Sequence, residues 1–351
     1  MNENISVTGW DIGGANVKAA RLDLQGKGPA RLRTASRPFE IWRDCQGLDQ
    51  VLAEMGAGLD LASTQALGLT MTAELADVFR TKAQGVEFVC RAVARVFPGL
   101  RVLVLDLSSR AWSPLETALV RPLDFAANNW LASALYLASQ YQDAVLLDVG
   151  STTTDIIPIR AGRVAARGLT DTERLINGEL VYTGVLRANP NTVARTVPVK
   201  GLACRVADEV FARMADVHLL LGHITPGEYS CPTADGRGKT AEEAAERLAR
   251  VVCADSQSLT PGQIMGLARY LFDGQLDQIA QGLHQVLSAG DEPGPPLLLA
   301  AGSGAFMVRE LGRRLGFEVK DPLPHLGDQA LAVLPALGAA WLLADHLRGG
   351  K

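Results

Sequence analysis

LLDVGSTTTD, Leu146 to Asp155, is the stretch from which the fold can be read. An apolar run, Ala144 to Leu147, has the composition of a buried strand and carries Asp148 into Gly150 and a hydroxyl-rich turn. Gly150 permits close backbone approach to a ligand, and the amides and hydroxyls of Ser151, Thr152 and Thr153 are suited to phosphate oxygens. The earlier stretch GWDIGGANVK, Gly9 to Lys18, has the same design of strand, aspartate, glycines and polar turn. An Asp-Gly exit from one strand is also a common plain turn. Two of them in one chain point to a duplicated fold with facing phosphate loops.

Working outward from these loops, the order of elements repeats. Ile5–Trp10, Val17–Leu24 and Ala30–Arg37 read as an antiparallel meander. Leu48, Val51, Leu52, Met55 and Leu59 recur at helical spacing, and Ala66–Thr70 returns to a strand. Val86–Phe97 reads as a helix and Val102–Leu105 as a further buried strand. This is the order of a ribonuclease-H-like half. Asp124, as N-cap, opens a helix running into the Asp148 strand, and Thr154–Ile159 and Arg163–Arg167 follow as strands around Ala161-Gly162. Thr240 and Glu243 form a capping box for a helix to Cys253. Pro261–Ser288 is helical with an expected interruption near Gly274, and a last helix spans about Asp328 to Leu347.

The expected architecture is therefore α/β, two ribonuclease-H-like halves around a central cleft. The first half covers residues 1–123. The second covers 124–351 and includes an irregular inserted region at about 170–240.

The chain has 351 residues, 48% hydrophobic and 21% charged, with a formal net charge of −4. Without a basic tail or charge run, nucleic acid and anionic membranes are not the expected partners. No secretory leader or membrane-spanning run is evident, and five scattered cysteines do not suggest a disulfide framework. A cytoplasmic protein acting on small molecules is expected, with a homo-oligomer left open.

Phosphate chemistry needs a cation and backbone donors. Asp11 and Asp148, each at a strand end, are placed to orient Mg²⁺ through its waters. Gly13, Gly14, Asn16 and Lys18 form the first phosphate loop, and Gly150, Ser151, Thr152 and Thr153 the second. A third strand exit, LLLAAGSGAF (Leu297 to Phe306), offers Gly302, Ser303 and Gly304 before a helix as a nucleotide-binding turn. A tight connection that needs glycine for sterics is the other reading. His218 and His223 are five apart, and neither Cys204 nor Cys231 stands at a zinc spacing from them, so no structural zinc is expected. Arg187 and Arg247 are candidates for a carboxylate or phosphate, or for structural ion pairs.

DIGGANVK, LLDVGSTTTD, LLLAAGSGAF and PALGAAW (Pro335 to Trp341) resemble, in this order, motifs of the actin, sugar-kinase and Hsp70-like superfamily. They correspond to its two phosphate motifs, its adenosine motif and its second connecting helix, with the Asn128-Asn129-Trp130 helix in place of the first. DVGSTTTD with Asp155 resembles the hydantoinase/oxoprolinase branch, whose subunits are much longer. Five other stretches are LTMTAELADVF (Leu69 to Phe79), INGELVYTGVLR (Ile176 to Arg187), MADVHLLLG (Met214 to Gly222), TADGR (Thr233 to Arg237) and ERLARVVCAD (Glu246 to Asp255). These resemble the short members linked to tetrahydromethanopterin-dependent one-carbon metabolism.

That resemblance implies the methanofuran-biosynthesis synthase reaction. An aminomethyl-furanmethanol diphosphate is joined to the phenol of glutamyl-tyramine, and pyrophosphate is released. ATP is allowed by the loops but not required. A phenol with an ordinary pKa near 10 benefits from a positioned base. Glu179 is the first choice, with Glu74, Asp77, His218 and Asp235 as further candidates. The alternatives are an ATP-dependent small-molecule kinase or a hydantoinase/oxoprolinase-like hydrolase, and a non-catalytic nucleotide-binding protein.

Overall fold

The structure, a computed structural model, describes residues 4–26, 31–290 and 297–349. Two sheets carry the same strand order. The first contains β1 (Ile5–Ile12), β2 (Asn16–Leu24), β3 (Arg31–Pro38), β4 (Ala66–Met71), β5 (Arg101–Leu105) and β6 (Trp112–Pro114), arranged 3-2-1-4-5-6. β1–β3 form the antiparallel meander, while β4 and β5 join in parallel. β1 and β4 are buried almost throughout, as continuous apolar strands covered on both faces should be, and the edge strand β3 is partly exposed.

In the second half the strands are β7 (Ala144–Val149), β8 (Thr154–Arg160), β9 (Arg163–Val164), β10 (Leu180–Val181), β11 (Thr196–Val199), β12 (Leu202–Arg205), β13 (Leu298–Ala301) and β14 (Val319–Lys320). The second sheet runs β10-β8-β7-β13-β14, the order of the first five strands of the other sheet. β11 and β12 make a separate hairpin. The shared order is that of the ribonuclease-H-like halves of the actin/sugar-kinase/Hsp70-like fold. The third strand is in two pieces here. β9 pairs with the outer end of β8 and β10 with its inner end, with the helix Asp171–Asn177 between them.

The chain forms two compact units, Met1–Ala144 with Ile159–Glu173 and Pro322–Lys351, and Val145–Pro158 with Arg174–Asp321. It thus passes between units more often than a single boundary after Leu123 would have it. The physical reason lies in the helix Leu334–Leu347, which packs on β1. At Gly9 a Cβ would fall 2.0 Å from the Ala336 carbonyl oxygen, so only glycine lets helix and strand touch backbone to backbone. Tyr136, on the helix Asn129–Ala138, stacks on Trp341 with ring planes 7° apart. The core of this unit gathers Trp10, Leu52, Leu69 and Val89, and that of the other gathers Leu147, Ile156, Leu248 and Leu276.

Two local expectations are corrected, and a third falls outside the described residues. Asp124 does not cap the following helix. It sits in a 3-10 turn, Pro122–Phe125, and Ala127 at φ +51° separates that turn from the helix, which begins at Asn129. Gly274 does not interrupt the long helix, which is continuous from Pro261 to Leu287, because Phe272, Gln275, Leu276 and Ile279 bury one face around it. Ala30, the expected start of the third strand, lies outside the described residues. The Thr240–Glu243 capping box is present, with reciprocal bonds of 3.2 and 3.1 Å.

Candidate functional site

Each strand–aspartate–glycine turn is closed by the same backbone bond. In the first unit the Gly13 amide donates to the Asn16 carbonyl at 2.9 Å; in the second, Gly150 donates to Thr153 at 2.8 Å. Each turn is then held through its carbonyls by a later segment. Ile41 and Phe39 donate to Gly14 and Ala15, whereas Val185 donates to Gly150 and both Leu186 and Arg187 to Ser151, at 2.9–3.1 Å. With those carbonyls engaged, the amides of Gly14, Ala15, Ser151 and Thr152 donate no backbone hydrogen bond among the described residues. A pair of adjacent undonated amides in a fixed turn has the geometry to receive an anion.

Around the first turn, Asp11 is 3% exposed and faces Lys18 across the β1–β2 pair and Thr70 across β1–β4. Lys18 enters no ion pair among the described residues, which leaves its ammonium available to an anion. Thr72 donates its amide to the Ile12 carbonyl at 3.0 Å and lies against Gly13.

Around the second turn, pairing of β13 with β7 sets Ala301 opposite Asp148. Gly302 follows at φ +77°, where a Cβ would meet the Asp148 Oδ1 at 2.4 Å. The Gly304 amide donates to the Val149 carbonyl at 2.8 Å, and Ser303 is exposed ahead of the helix Ala305–Leu315. The residues Asp148, Gly150–Thr153 and Gly302–Gly304 are therefore one cluster in space. Thr183 and Gly184 belong to it as well, although the sequence reading did not single them out. Thr154 Oγ1 donates to the Thr183 carbonyl at 2.8 Å, and a Cβ at Gly184 would fall 2.6 Å from the Thr152 amide nitrogen. The only sequence signal was a Thr-Gly step within INGELVYTGVLR.

The base candidates separate sharply. Glu179 is buried, and its backbone is clamped: its amide donates to the Arg174 carbonyl at 2.9 Å, and its carbonyl accepts from the Ile156 amide and Arg174. Arg174 also pairs with Asp155 at 2.6 Å, which ties the aspartate trailing the second loop to the Glu179 segment. Asp77 is exposed on the segment after β4, and Glu74 on the same segment is buried.

His218 and Asp235 are corrected as bases. His218 is fully buried with both ring nitrogens engaged, Nδ1 with His223 at 3.1 Å and Nε2 with Gln275 at 2.9 Å. Burial first, and His223 second, push its pKa down to about 3, so it stays neutral at physiological pH with both nitrogens already engaged. Gln275 donates to Thr183 Oγ1 and the Gly184 carbonyl, both at 2.9 Å, so its amide oxygen faces His218. That assigns the His218 proton to Nε2 and makes His223 the donor between the two rings.

Asp235 is committed to arginines. Burial alone would raise its pKa, but the Arg237 hydrogen bonds and the charges of Arg247 and Arg237 hold it at about 2. It links the TADGR loop to a fully buried pair in which Arg247 binds the Asp216 Oδ1 at 2.9 and 2.8 Å. Tyr229 donates to the same oxygen at 3.1 Å. Arg247 is thus structural.

No group of three or more His, Cys, Asp and Glu able to hold a metal occurs among the described residues. The Asp148 carboxylate, with the bare Gly302 backbone beside it, is a donor set that would suit a hydrated Mg²⁺ completed by ligand oxygens and not an all-protein cage. No helix of the described residues is long and apolar enough to cross a membrane.

A sequence model of the hydantoinase/oxoprolinase family matches residues 65–346. The (4-{4-[2-(gamma-L-glutamylamino)ethyl]phenoxymethyl}furan-2-yl)methanamine synthase of Methanocaldococcus jannaschii is 35% identical over 283 residues, 80% of this chain and 82% of that protein. The protein of the same name from Methanococcus vannielii is 30% identical over 210 residues, 59% of this chain and 93% of its own length. Among solved structures, nucleotide-free acetone carboxylase superposes with a TM-score of 0.59 at 11% identity, over 96% of this chain and 70% of that one. At that identity the likeness concerns the fold alone.

Proposed function

The chain belongs to the hydantoinase/oxoprolinase family, and from that premise we propose that it is a furanmethanamine synthase of methanofuran biosynthesis. In the proposed reaction the phenol oxygen of glutamyl-tyramine bonds to the methylene carbon of an aminomethyl-furanmethanol diphosphate. The carbon–oxygen bond to the diphosphate breaks, pyrophosphate leaves with the bonding pair, and the phenolic proton passes to a base.

The observation that carries this reading is the match to the Methanocaldococcus jannaschii synthase over four-fifths of both chains. That protein's name specifies a phenoxymethyl-furan product, an ether between a phenol and a furan methylene.

The chain's own groups suit the chemistry. Breaking the bond builds charge on the leaving diphosphate, and fixed donors aimed at developing charge are effective because they need no reorganisation. Each unit by itself offers such donors: the amides of Gly14 and Ala15, with the point charge of Lys18, in one, and the amides of Ser151 and Thr152 in the other. Asp11 in one unit and Asp148 in the other are each a proposed holder of Mg²⁺, which would neutralise the diphosphate when bound. Gly302, Ser303 and Gly304 are proposed to shape the anion cradle beside Asp148. Glu179 is the proposed acceptor of the phenolic proton. It belongs to the same segment as Thr183 and Gly184, which pack on the second turn.

The test supplies the full chain with the furan diphosphate, γ-glutamyl-tyramine and Mg²⁺, without ATP, and follows pyrophosphate and the ether by mass spectrometry. Stoichiometric ether and pyrophosphate are expected. Consumption of ATP with phosphorylation of either substrate, and no ether, would sink the synthase reading.

A further inference from the structure

Glu74 stands out among the buried groups. It is 1% exposed, and neither carboxyl oxygen has a hydrogen-bond partner among the described residues. Its place is rigid, because Gly85 in the helix Lys82–Val96 lies on its backbone. A Cβ there would fall 2.5 Å from the Glu74 Cα. Two residues earlier, Thr72 touches Gly13 and donates to Ile12, so this segment leaves β4 beside the first anion turn.

The charges felt by Glu74 in its own unit are Asp171 and Lys82. Those two already form a pair, with Lys82 Nζ 2.8 Å from Asp171 Oδ2. Two carboxyls thus share one ammonium, and the group is one cation short when Glu74 is ionised. A buried carboxylate without a partner is strongly disfavoured. The protein meets this by holding a proton: burial first, with Asp171 adding to it, pushes the Glu74 pKa up to about 8, against the smaller opposing pull of the Glu74 and Ala127 backbone amides and of Lys82. A protonated carboxyl with no acceptor is still unsatisfied.

We propose that Glu74 binds a primary ammonium, which enters as the missing cation of the Glu74–Lys82–Asp171 group. Under the reading above, on which this assignment of the ligand rests, the ammonium is the aminomethyl arm of the furan substrate. The product name of the Methanocaldococcus jannaschii relative ends in that methanamine. Binding then displaces one proton from Glu74 to solvent, and the carboxylate and ammonium form a charge-assisted hydrogen bond. An anion turn that takes the diphosphate and a carboxyl that takes the amine would select a furan carrying both.

The test uses the full chain with Mg²⁺ and pyrophosphate, and furfurylamine as probe against furan-2-ylmethanol, its neutral counterpart. Calorimetry at pH 7 in two amine-free buffers of different ionisation enthalpy counts the protons released. Furfurylamine is expected to bind at least about tenfold more tightly than the alcohol, the range for a hydrogen bond to a charged group. About one proton should be released per amine and none per alcohol. Glu74→Gln should abolish both differences and Glu74→Asp restore part of them. Asp171→Asn should abolish them too without touching Glu74, since Lys82 is then free to turn to it.

Equal binding of amine and alcohol, binding without proton release, or an amine preference that survives both Glu74→Gln and Asp171→Asn overturns the proposal. So does loss of the amine effect in millimolar potassium, which would make the occupant an inorganic cation. The outcomes are separable from those for the reaction. Amine binding with proton release but no ether keeps this site and removes the synthase. Equal ether yield from a furan diphosphate lacking the amine does the reverse.

Discussion

The backbone of Gly302 occupies the space beside the Asp148 carboxylate, with room for no side-chain carbon between them: a Cβ would lie 2.4 Å from Oδ1 and 2.4 Å from the Val149 carbonyl oxygen. At φ +77° the position is also costly for any L side chain. Gly302→Ala is therefore expected to destabilise the protein by about 1–3 kcal/mol. It should also displace Asp148 and weaken the stabilisation by pyrophosphate with Mg²⁺. Thermal unfolding with and without the anion measures both effects.

Asp148→Asn keeps the shape and removes the charge. Turnover should fall at least about a hundredfold, the scale for losing one electrostatic contributor at a reacting centre. The melting temperature of the ligand-free protein should be nearly unchanged. In the unaltered protein, pyrophosphate with Mg²⁺ at a hundred times its Kd should add about 2.7 kcal/mol of stability. A variant that turns over normally, or a protein whose melting point ignores saturating pyrophosphate, would count against the assigned role of this loop.

Glu74 should impose a pH dependence of known sign. Its pKa is about 8 in the folded chain and near 4.5 when unfolded, so between those values the native state holds a proton that the unfolded state has lost. This contribution to stability is complete below pH 4.5, declines as pH rises, and is gone above 8, with a slope of at most about 1.4 kcal/mol per pH unit. Glu74→Gln stays neutral throughout, so its stability relative to the unaltered protein should grow from pH 5 to about 8 and level off above it. Parallel denaturation curves at all pH values would contradict the burial of a carboxyl without a partner.

His218 acts in the opposite sense. Its folded pKa of about 3 lies below the ordinary 6.5, so the unfolded chain takes up a proton that the native chain refuses. Stability from this group is present above pH 6.5 and lost as pH falls toward 3. Replacing His218 with Phe should flatten the acid limb of a melting-temperature profile between pH 6.5 and 4.5, even if it lowers the whole curve by stranding Gln275.

The geometry of the two strand–aspartate–glycine turns was legible because each packs its signal into one short stretch: apolar strand, aspartate, glycine, polar turn. The repeated ribonuclease-H-like order followed from element order for the same reason. What escaped was made by distant partners. Lys82 and Asp171 are 89 residues apart, and Gln275 reaches Gly184 across 91, so neither the isolation of Glu74 nor the closing-off of His218 has a local signature. Asp235 is surrounded by Arg237, Arg247 and Arg250, the last two brought to it from the following helix. Asp124 satisfied the cap pattern, yet Asn128 occupies the helix start and spends its side chain elsewhere. It bonds the Met71 amide at 2.8 Å and the Leu105 carbonyl at 2.6 Å, binding β4 to β5.

The seating of the helix Leu334–Leu347 on β1 bears on the order in which the molecule can be made. Residues 5–12 leave the ribosome first among the strands, but the backbone of Gly9 meets its partners, Ala336 and Ala340, only more than three hundred residues later. During synthesis the first sheet must wait with that face uncovered, exposed to solvent and to chaperones, while the second unit completes its own core. Mutations that loosen Gly9 or Ala336 should therefore appear as poor yield and aggregation of newly made chains before they appear as lost activity in the chains that survive.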